Sequence, residues 1–218
     1  MLGIMKQTRN TKNAGFSIIE LLLAMTIMLV LLGLVSGIFA RALSTRERES
    51  SRTDALTSSQ AALNVISREV ANSGYGLSEE GEDESASNGL VIADCTNKRL
   101  HLRANVDNDN LTTTEPGEDV TYFHDAATQS IVRYDPNDIP KISGVVNRVS
   151  EVTFQYFDYV GSSSTPSDAK NVPTKDTGRV QINVTVSLGD VAGQAKNQKV
   201  TFVSEITLRN SKYMLNQY

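Results

Sequence analysis

The residues that could carry catalytic or metal chemistry are few in this chain. It has one cysteine, Cys95, and two histidines, His101 and His124, which stand singly in strand-like runs. A structural zinc site takes four ligands, usually in two pairs. Cys95 and His101 could form one pair, but the sequence has no second pair. The sequence also contains no glycine-rich phosphate loop and no nucleophile elbow. We therefore predict that the chain is not an enzyme and that it binds no cofactor.

Two acidic segments are the remaining candidates for a metal site. Residues 79–85 read EEGEDES, and residues 107–110 read DNDN. The second segment resembles the start of a calcium loop, but the glycine and the closing glutamate are missing at the required spacing. Solvated loops are the default interpretation of both segments. We therefore predict no metal site, and loop-bound Ca²⁺ stays open as the alternative.

The composition is that of an ordinary globular protein. Of the 218 residues, 39% are hydrophobic and 21% are charged, which excludes a fully disordered chain. There are 21 Lys and Arg against 25 Asp and Glu, so the net charge is −4 and no basic excess indicates nucleic-acid binding. One cysteine cannot form an intramolecular disulfide, so the core alone must hold the domain together.

A long apolar run near the N-terminus contains a single carboxylate. Residues 16–40 read FSIIELLLAMTIMLVLLGLVSGIFA, and Glu20 is their one charge. At about 1.5 Å per helical residue the run exceeds the ~30 Å of a bilayer core, which predicts a transmembrane helix. A carboxylate in such a helix is costly, so Glu20 is a functional candidate. Gly33 and Gly37 have the spacing that lets helices pack closely, although glycine is also frequent in membrane helices.

The residues before the apolar run complete a recognisable pattern. Residues 1–15 are polar, carry Lys6, Arg9 and Lys12, and end in Gly15. The segment Gly15-Phe16-Ser17-Ile18-Ile19-Glu20-Leu21 resembles the prepilin signature of type IV pilins and type II secretion pseudopilins. In that signature a glycine precedes the cleavage point, a phenylalanine follows it, and a glutamate takes the fifth mature position. Ser17 and Ile18 depart conservatively from the commonest residues.

The resemblance implies a processing route and a role for the carboxylate. A prepilin peptidase would cut between Gly15 and Phe16 on the cytoplasmic face, and the new amine of Phe16 would be methylated. Glu20 would then compensate the positive amino terminus of a neighbouring subunit in a filament. The alternative is a satisfied interfacial glutamate near a helix end. Four arginines follow the run (Arg41, Arg46, Arg48 and Arg52) and only three basic residues precede it, so the motif, and not the charge bias, places the leader inside.

The helix is predicted to continue beyond the membrane segment. No Gly or Pro occurs between Ile38 and Ser73, and residues that end helices return at 72–76, which read NSGYG. Leu56, Leu63, Ile66 and Val70 would form one face. Residues 68–75, which read REVANSGY, resemble the end of this helix in PilW-like minor pilins and the related J-type pseudopilins.

Alternating and β-branched runs then predict a head of antiparallel sheet. The predicted strands are residues 90–95, 99–103, 120–124, 130–134, 149–159, 179–188 and 200–208, and the last two form a hairpin. The fold is therefore α+β, a long N-terminal helix packed on a mostly antiparallel sheet. Its parts are a leader (1–15), a transmembrane helix (16–40), an amphipathic helix (41–75) and a β-rich head (76–218).

Three functions remain open. The first is a minor type IV pilin in pilus assembly or initiation, inserted in the inner membrane with its head in the periplasm and later carried to the cell surface. The second is a minor pseudopilin of a type II secretion system. The third is a single-pass membrane-anchored domain without a filament role. The resemblance implies as partners a prepilin peptidase, major and other minor pilins, the inner-membrane assembly platform and the lipid bilayer.

Overall fold

The computed structural model describes residues 15–77, 88–107, 112–160, 163–188, 190 and 195–217. A long helix comes first and antiparallel sheets follow, so the predicted α+β, pilin-like architecture is confirmed. The elements are α1 (Ile18–Asn72), β1 (Arg99–Arg103), β2 (Asp119–Asp125), β3 (Ser130–Tyr134), β4 (Ile142–Asn147), β5 (Val149–Asp158), β6 (Thr177–Ser187), β7 (Lys199–Thr207) and α2 (Lys212–Leu215). The chain divides into two compact units, Met1–Arg46 and Glu47–Tyr218.

In the first unit, α1 presents its apolar side chains to the surroundings. Every large hydrophobic residue from Phe16 to Leu43 is exposed. Removal of such surface from water is the main favourable term in folding and association. This part of the helix has no apolar partner among the described residues of its own unit, so it requires an apolar environment supplied from outside that unit.

In the second unit, the helix packs through small side chains as well as large ones. Its buried residues are Ser59, Ala62, Leu63, Ile66 and Val70. The predicted face is therefore confirmed at Leu63, Ile66 and Val70, but the prediction for Leu56 is wrong, because that side chain is 39% exposed. Ser59 and Ala62 take its place, since small side chains let the helix approach the sheets closely.

Two antiparallel sheets make up most of the rest of the second unit. The strand orders are β1-β2-β3-β4 and β5-β6-β7. β7 pairs with β6 along its whole length, from Thr207 opposite Arg179 to Lys199 opposite Ser187, so the predicted hairpin is confirmed. The alternating apolar residues of β6 are all buried, and these are Val180, Ile182, Val184 and Val186.

Sequence periodicity predicted one strand that does not form and did not predict another that does. Residues 90–95 were predicted to be a strand, but only Leu90 forms an isolated bridge, to Leu102, and a turn follows in which the Asp94 amide bonds to the Val91 carbonyl. Leu90 and Cys95 both pack in the hydrophobic core, so the apolar pattern of this segment reflects core packing and not the alternation of a paired strand. β4 was not predicted, since it is short, contains Gly144, and pairs with β3 across a bulge.

The helix ends where it meets the edge of the first sheet. Gly74 lies in the left-handed region at φ 79°, which a glycine adopts without strain, and its amide donates to the Arg103 carbonyl at 2.9 Å. The next residue continues this contact, because the Asn105 amide donates to the Tyr75 carbonyl at 2.7 Å. The segment that resembles a pilin helix end is thus hydrogen-bonded to the last residue of β1 and to the segment directly after it.

Candidate processing and assembly site

The predicted cleavage point lies immediately before α1. Gly15, Phe16 and Ser17 have no regular secondary structure, and the helix begins at Ile18. The Phe16 side chain is 90% exposed. A peptide bond outside a helix, with an accessible side chain beside it, is one that a peptidase can reach without unwinding helical hydrogen bonds.

Ser17 and Glu20 form a reciprocal cap on the first turn of α1. The Ser17 amide donates to the Glu20 carboxylate at 2.9 Å, and the Ile19 amide donates to the Ser17 hydroxyl at 3.4 Å. The helix ladder starts from the same residue, because the Leu21 amide donates to the Ser17 carbonyl. This arrangement is a capping box, in which two amide groups without helical partners are satisfied by side chains. A cap of this kind contributes about 0.5–2 kcal/mol of helix stability.

The capping box orients a carboxylate that has room for further donors. Ser17 and Glu20 are both exposed. A carboxylate offers about four acceptor positions, so the bond from the Ser17 amide leaves room for a cation or for another amide donor. The cap also holds Glu20 against the N-terminal end of the helix, where the helix dipole favours a negative charge.

The helix that follows is long and apolar enough to cross a bilayer. The most apolar part of Ile18–Asn72 is long enough to span a bilayer, and none of it is buried. It is the one such helix among the described residues, and length and composition alone would also admit a signal sequence. A fully exposed span nevertheless distinguishes it from the core helix of a soluble protein, which would be mostly buried.

Gly33 and Gly37 lie on one face of this helix, four residues apart. A β-carbon built on either glycine would meet nothing within 4 Å. Neither glycine is therefore required by packing among the described residues. Their small size is free to serve contacts with another helix, which is the use that the spacing predicts.

A comparison with family models identifies the N-terminal region. The prokaryotic N-terminal methylation motif matches residues 10–36. This match supports a type IV pilin-like or pseudopilin-like protein. Such proteins are structural rather than enzymatic, and an apolar N-terminal helix that carries this motif fits membrane anchoring. No curated protein matches the chain, and no solved structure does.

The other chemically capable residues are dispersed and engaged. His101 lies between two carboxylates, with Nδ1 2.8 Å from Asp94 and Nε2 2.6 Å from Asp119. His124 Nε2 lies 2.8 Å from the Val149 carbonyl. Cys95 is buried, and burial raises the pKa of its thiol to about 11. Among the described residues no three His, Cys, Asp or Glu side chains form a group that could hold a metal.

The acidic segments considered for a metal fall mostly outside the described residues. Residues 79–85 and 108–110 lie there, and only Asp107 is placed. The hypothesis of loop-bound Ca²⁺ therefore stays a hypothesis.

The role of Ser17 was missed by the sequence analysis. A serine followed three residues later by a glutamate, at the start of an apolar run, is the sequence signal of a capping box. Residues 17–20, which read SIIE, carry that signal. The same glutamate, Glu20, belongs both to the capping-box signal and to the prepilin signature.

Proposed function

We propose that this chain is a minor type IV pilin, made as a prepilin in the inner membrane and packed into a filament by its N-terminal helix. A prepilin peptidase would cleave between Gly15 and Phe16, and the Phe16 amine would be methylated. The head would then face the periplasm and contact other minor pilins and the major pilin near the assembly platform. The observation that carries the proposal is the position of Glu20. This carboxylate lies in the first turn of α1 and within residues 10–36, which match the methylation motif.

The capping geometry supports the role proposed for Glu20. A carboxylate inserted alone into an apolar layer loses its hydration, at a cost of several kcal/mol. The Ser17 amide replaces part of that hydration inside the same chain. A positive amino terminus from a neighbouring subunit would supply the rest, because a charge buried among packed helices requires a cation and hydrogen bonds together.

The exposed glycines support lateral packing of the same segment. Gly33 and Gly37 leave a shallow strip on the helix, which would let a second helix approach closely. Van der Waals contact along this strip would add to the electrostatic contact at Glu20. The assignment to the PilW-like subclass rests on residues 68–75, whose hydrogen bonds to the end of β1 and the residues just after it suit a helix that ends against a head.

Mass spectrometry of the native N-terminus tests the proposal. The chain would be isolated from native membranes and, separately, from filaments sheared from the cell surface. The expected result is a methylated Phe16 start in both preparations. An intact leader in the native membrane would contradict the proposal and favour a membrane-anchored domain without a filament role.

The same experiment distinguishes the pilus from the secretion system. A processed Phe16 start that is present in membranes but absent from sheared filaments, together with loss of exoprotein secretion in a deletion strain, would favour the type II pseudopilin. The methylation motif is common to both assemblies, so the location of the processed chain decides between them.

A further inference from the structure

The outer edge of β7 is open. The Leu188 amide donates to the Gln198 carbonyl at 2.8 Å, and the Leu208 amide donates to the Gly178 carbonyl at 2.9 Å. These bonds bracket β7, and in an antiparallel ladder such bonded pairs occur at every second residue. The even-numbered residues of β7 therefore bond to β6, and the amides and carbonyls of the odd-numbered residues point away from the sheet.

The outward groups from Lys199 to Thr207 have no backbone partner among the described residues, whereas the next odd-numbered residue, Arg209, donates its amide to the Ala71 carbonyl of α1 at 3.2 Å. β7 pairs with β6 alone and is the last strand of its sheet. The odd-numbered residues are all exposed, and they are Lys199, Thr201, Val203, Glu205 and Thr207. Open edges are blunted by charged side chains, proline or a bulge; β7 has Lys199 and Glu205 on this edge but no proline and no bulge. An open edge of nine residues is a template for a further strand.

A groove runs beside this edge, between β7 and the part of α1 in the same unit. It has a volume of about 590 Å³ and is walled by Ala71, Ile206 and Met214, among others. Ser67 on the helix and Ser204 on the strand lie 3.3 Å apart, Oγ to Oγ, and mark how closely the two elements approach. The side chains of an added strand that face the helix would enter this groove.

Two arginines line the groove without ion-pair partners. Arg68 and Arg209 are exposed, and no described residue forms a salt bridge with either. The groove also contains Glu205, whose carboxylate is already paired with Arg179 at 3.1 Å. Among the described residues that line this groove, two arginines therefore face one carboxylate that is already paired, and the net charge of the lining is positive. Guanidinium groups bind carboxylates through paired hydrogen bonds.

We propose that the β7 edge binds an extended, acidic segment of another polypeptide by strand addition. Backbone hydrogen bonds to the odd-numbered residues would provide the pairing, and carboxylates of the added strand would meet Arg68 and Arg209. This inference concerns the head alone and does not depend on cleavage at Gly15. The added strand is expected to be acidic, because an uncharged or basic strand would provide no carboxylate for either guanidinium group.

Site-specific photocrosslinking in the native cell tests the inference. A benzoylphenylalanine at Thr207 in the full-length chain would react with whatever lies at the edge and the groove, and the crosslinked peptide would be sequenced by mass spectrometry. The expected product is a segment of another polypeptide that carries carboxylates and no proline among its pairing residues.

Matched variants separate strand addition from general proximity. Val203→Pro removes an outward amide without touching the bonds to β6, so the crosslink should be lost, whereas Val203→Thr keeps the amide and should retain it. Arg68→Glu and Arg209→Glu should each reduce the yield about tenfold, the scale of one lost charge-assisted contact. Lys175→Glu makes the same charge change at an exposed site outside the groove and should leave the yield unchanged.

Several outcomes would overturn the inference. They are a crosslink to this chain itself, to a second copy of it or to lipid, a sequenced segment without carboxylates, and a yield that Val203→Pro or the arginine reversals do not change. Circular dichroism of each purified variant would show whether the head is folded. If Val203→Pro did not fold, the two arginine reversals with the Lys175→Glu control would decide the matter.

Discussion

The Tyr122 hydroxyl of β2 donates a hydrogen bond to the Glu69 carboxylate of α1 at 2.6 Å. Tyr122 is fully buried, and burial together with the Glu69 charge raises the pKa of its hydroxyl far above the ordinary value. The Arg133 guanidinium of β3 contacts the same carboxylate at 3.1 Å. One helical side chain therefore joins two adjacent strands, and it sets how far along the sheet the helix lies.

Removal of the Tyr122 hydroxyl should weaken this junction. Tyr122→Phe would delete a buried hydrogen bond to a charged group, which we expect to lower the free energy of unfolding by about 1–3 kcal/mol. Urea unfolding of the full-length chain in detergent, followed by near-ultraviolet circular dichroism, would measure the change, since the chain has seven Tyr and no Trp. Tyr134→Phe is the matched control, because no described residue bonds its hydroxyl, and a change beyond about 0.5 kcal/mol there would contradict this account.

Three glycines should respond differently to alanine. A β-carbon at Gly89 would lie 2.0 Å from the Gly74 amide nitrogen, so Gly89→Ala should destabilise the head by more than about 4 kcal/mol. Gly117 has φ +92° but open space around it, so its alanine variant should lose only the ~1–2 kcal/mol of backbone strain. Gly144→Ala meets neither obstacle and should change stability by less than about 0.5 kcal/mol. Thermal unfolding of the three variants measures this order, and equal losses would refute it.

Asp158 should make the head sensitive to acid. Burial by itself opposes ionisation of Asp158, but hydrogen bonds from Lys170 and Thr177 outweigh it and lower the pKa of the carboxyl below its ordinary value. A depressed carboxyl pKa contributes stability that is complete above the unfolded pKa and is lost as pH falls through the folded pKa. Unfolding free energy should therefore decline below about pH 4.

A pair of variants tests the assignment to Asp158. Asp158→Asn should be less stable near neutral pH and should flatten the acid decline, whereas Asp168→Asn, at an exposed site, should keep the wild-type profile. An acid decline of unchanged steepness in Asp158→Asn would show that other carboxyls govern it.

Cys95 should be inert toward thiol reagents in the folded protein. Burial raises the pKa of its thiol to about 11, and Sγ also accepts the His101 amide at 3.3 Å. The thiolate is the reactive form, so maleimide labelling near pH 8 should be slow in the native chain and fast in denaturant. Mass spectrometry of labelling against time measures both rates. A Lys175→Cys variant provides an exposed thiol for comparison, and equal rates for the two thiols would refute the prediction.

Glu20 can be separated into a cap and a charge. Glu20→Gln keeps an acceptor for the Ser17 amide but removes the charge, whereas Glu20→Ala removes both. If the charge binds a neighbouring amino terminus, both variants should insert in the membrane and neither should enter sheared filaments. Glu49→Gln in the same helix is the charge control and should assemble normally. Normal assembly of Glu20→Gln would limit the role of this residue to capping.

The sequence alone predicts an element correctly where a short stretch of residues contains the whole pattern. The apolar run of residues 16–40, the basic segment that precedes it and the strict alternation of β6 are each visible within a short window. A hairpin such as β6–β7 is also nearly local, because its strands follow one another and the alternation sets which residues are buried. The capping box of Ser17 and Glu20 could have been predicted by the same means.

Only the tertiary structure decided the contacts between distant segments. The sequence does not indicate that Glu69 meets Tyr122 and Arg133, because those pairs depend on the order of strands in the first sheet. Leu90 was assigned to a strand although it is a core residue outside one, and Leu56 was assigned to the buried face although it is 39% exposed. In both cases the apolar side chain alone does not indicate which surface, if any, covers it. The open edge of β7 follows from strand order as well. Periodicity is a local property of the chain, whereas pairing between distant segments depends on how the whole head closes.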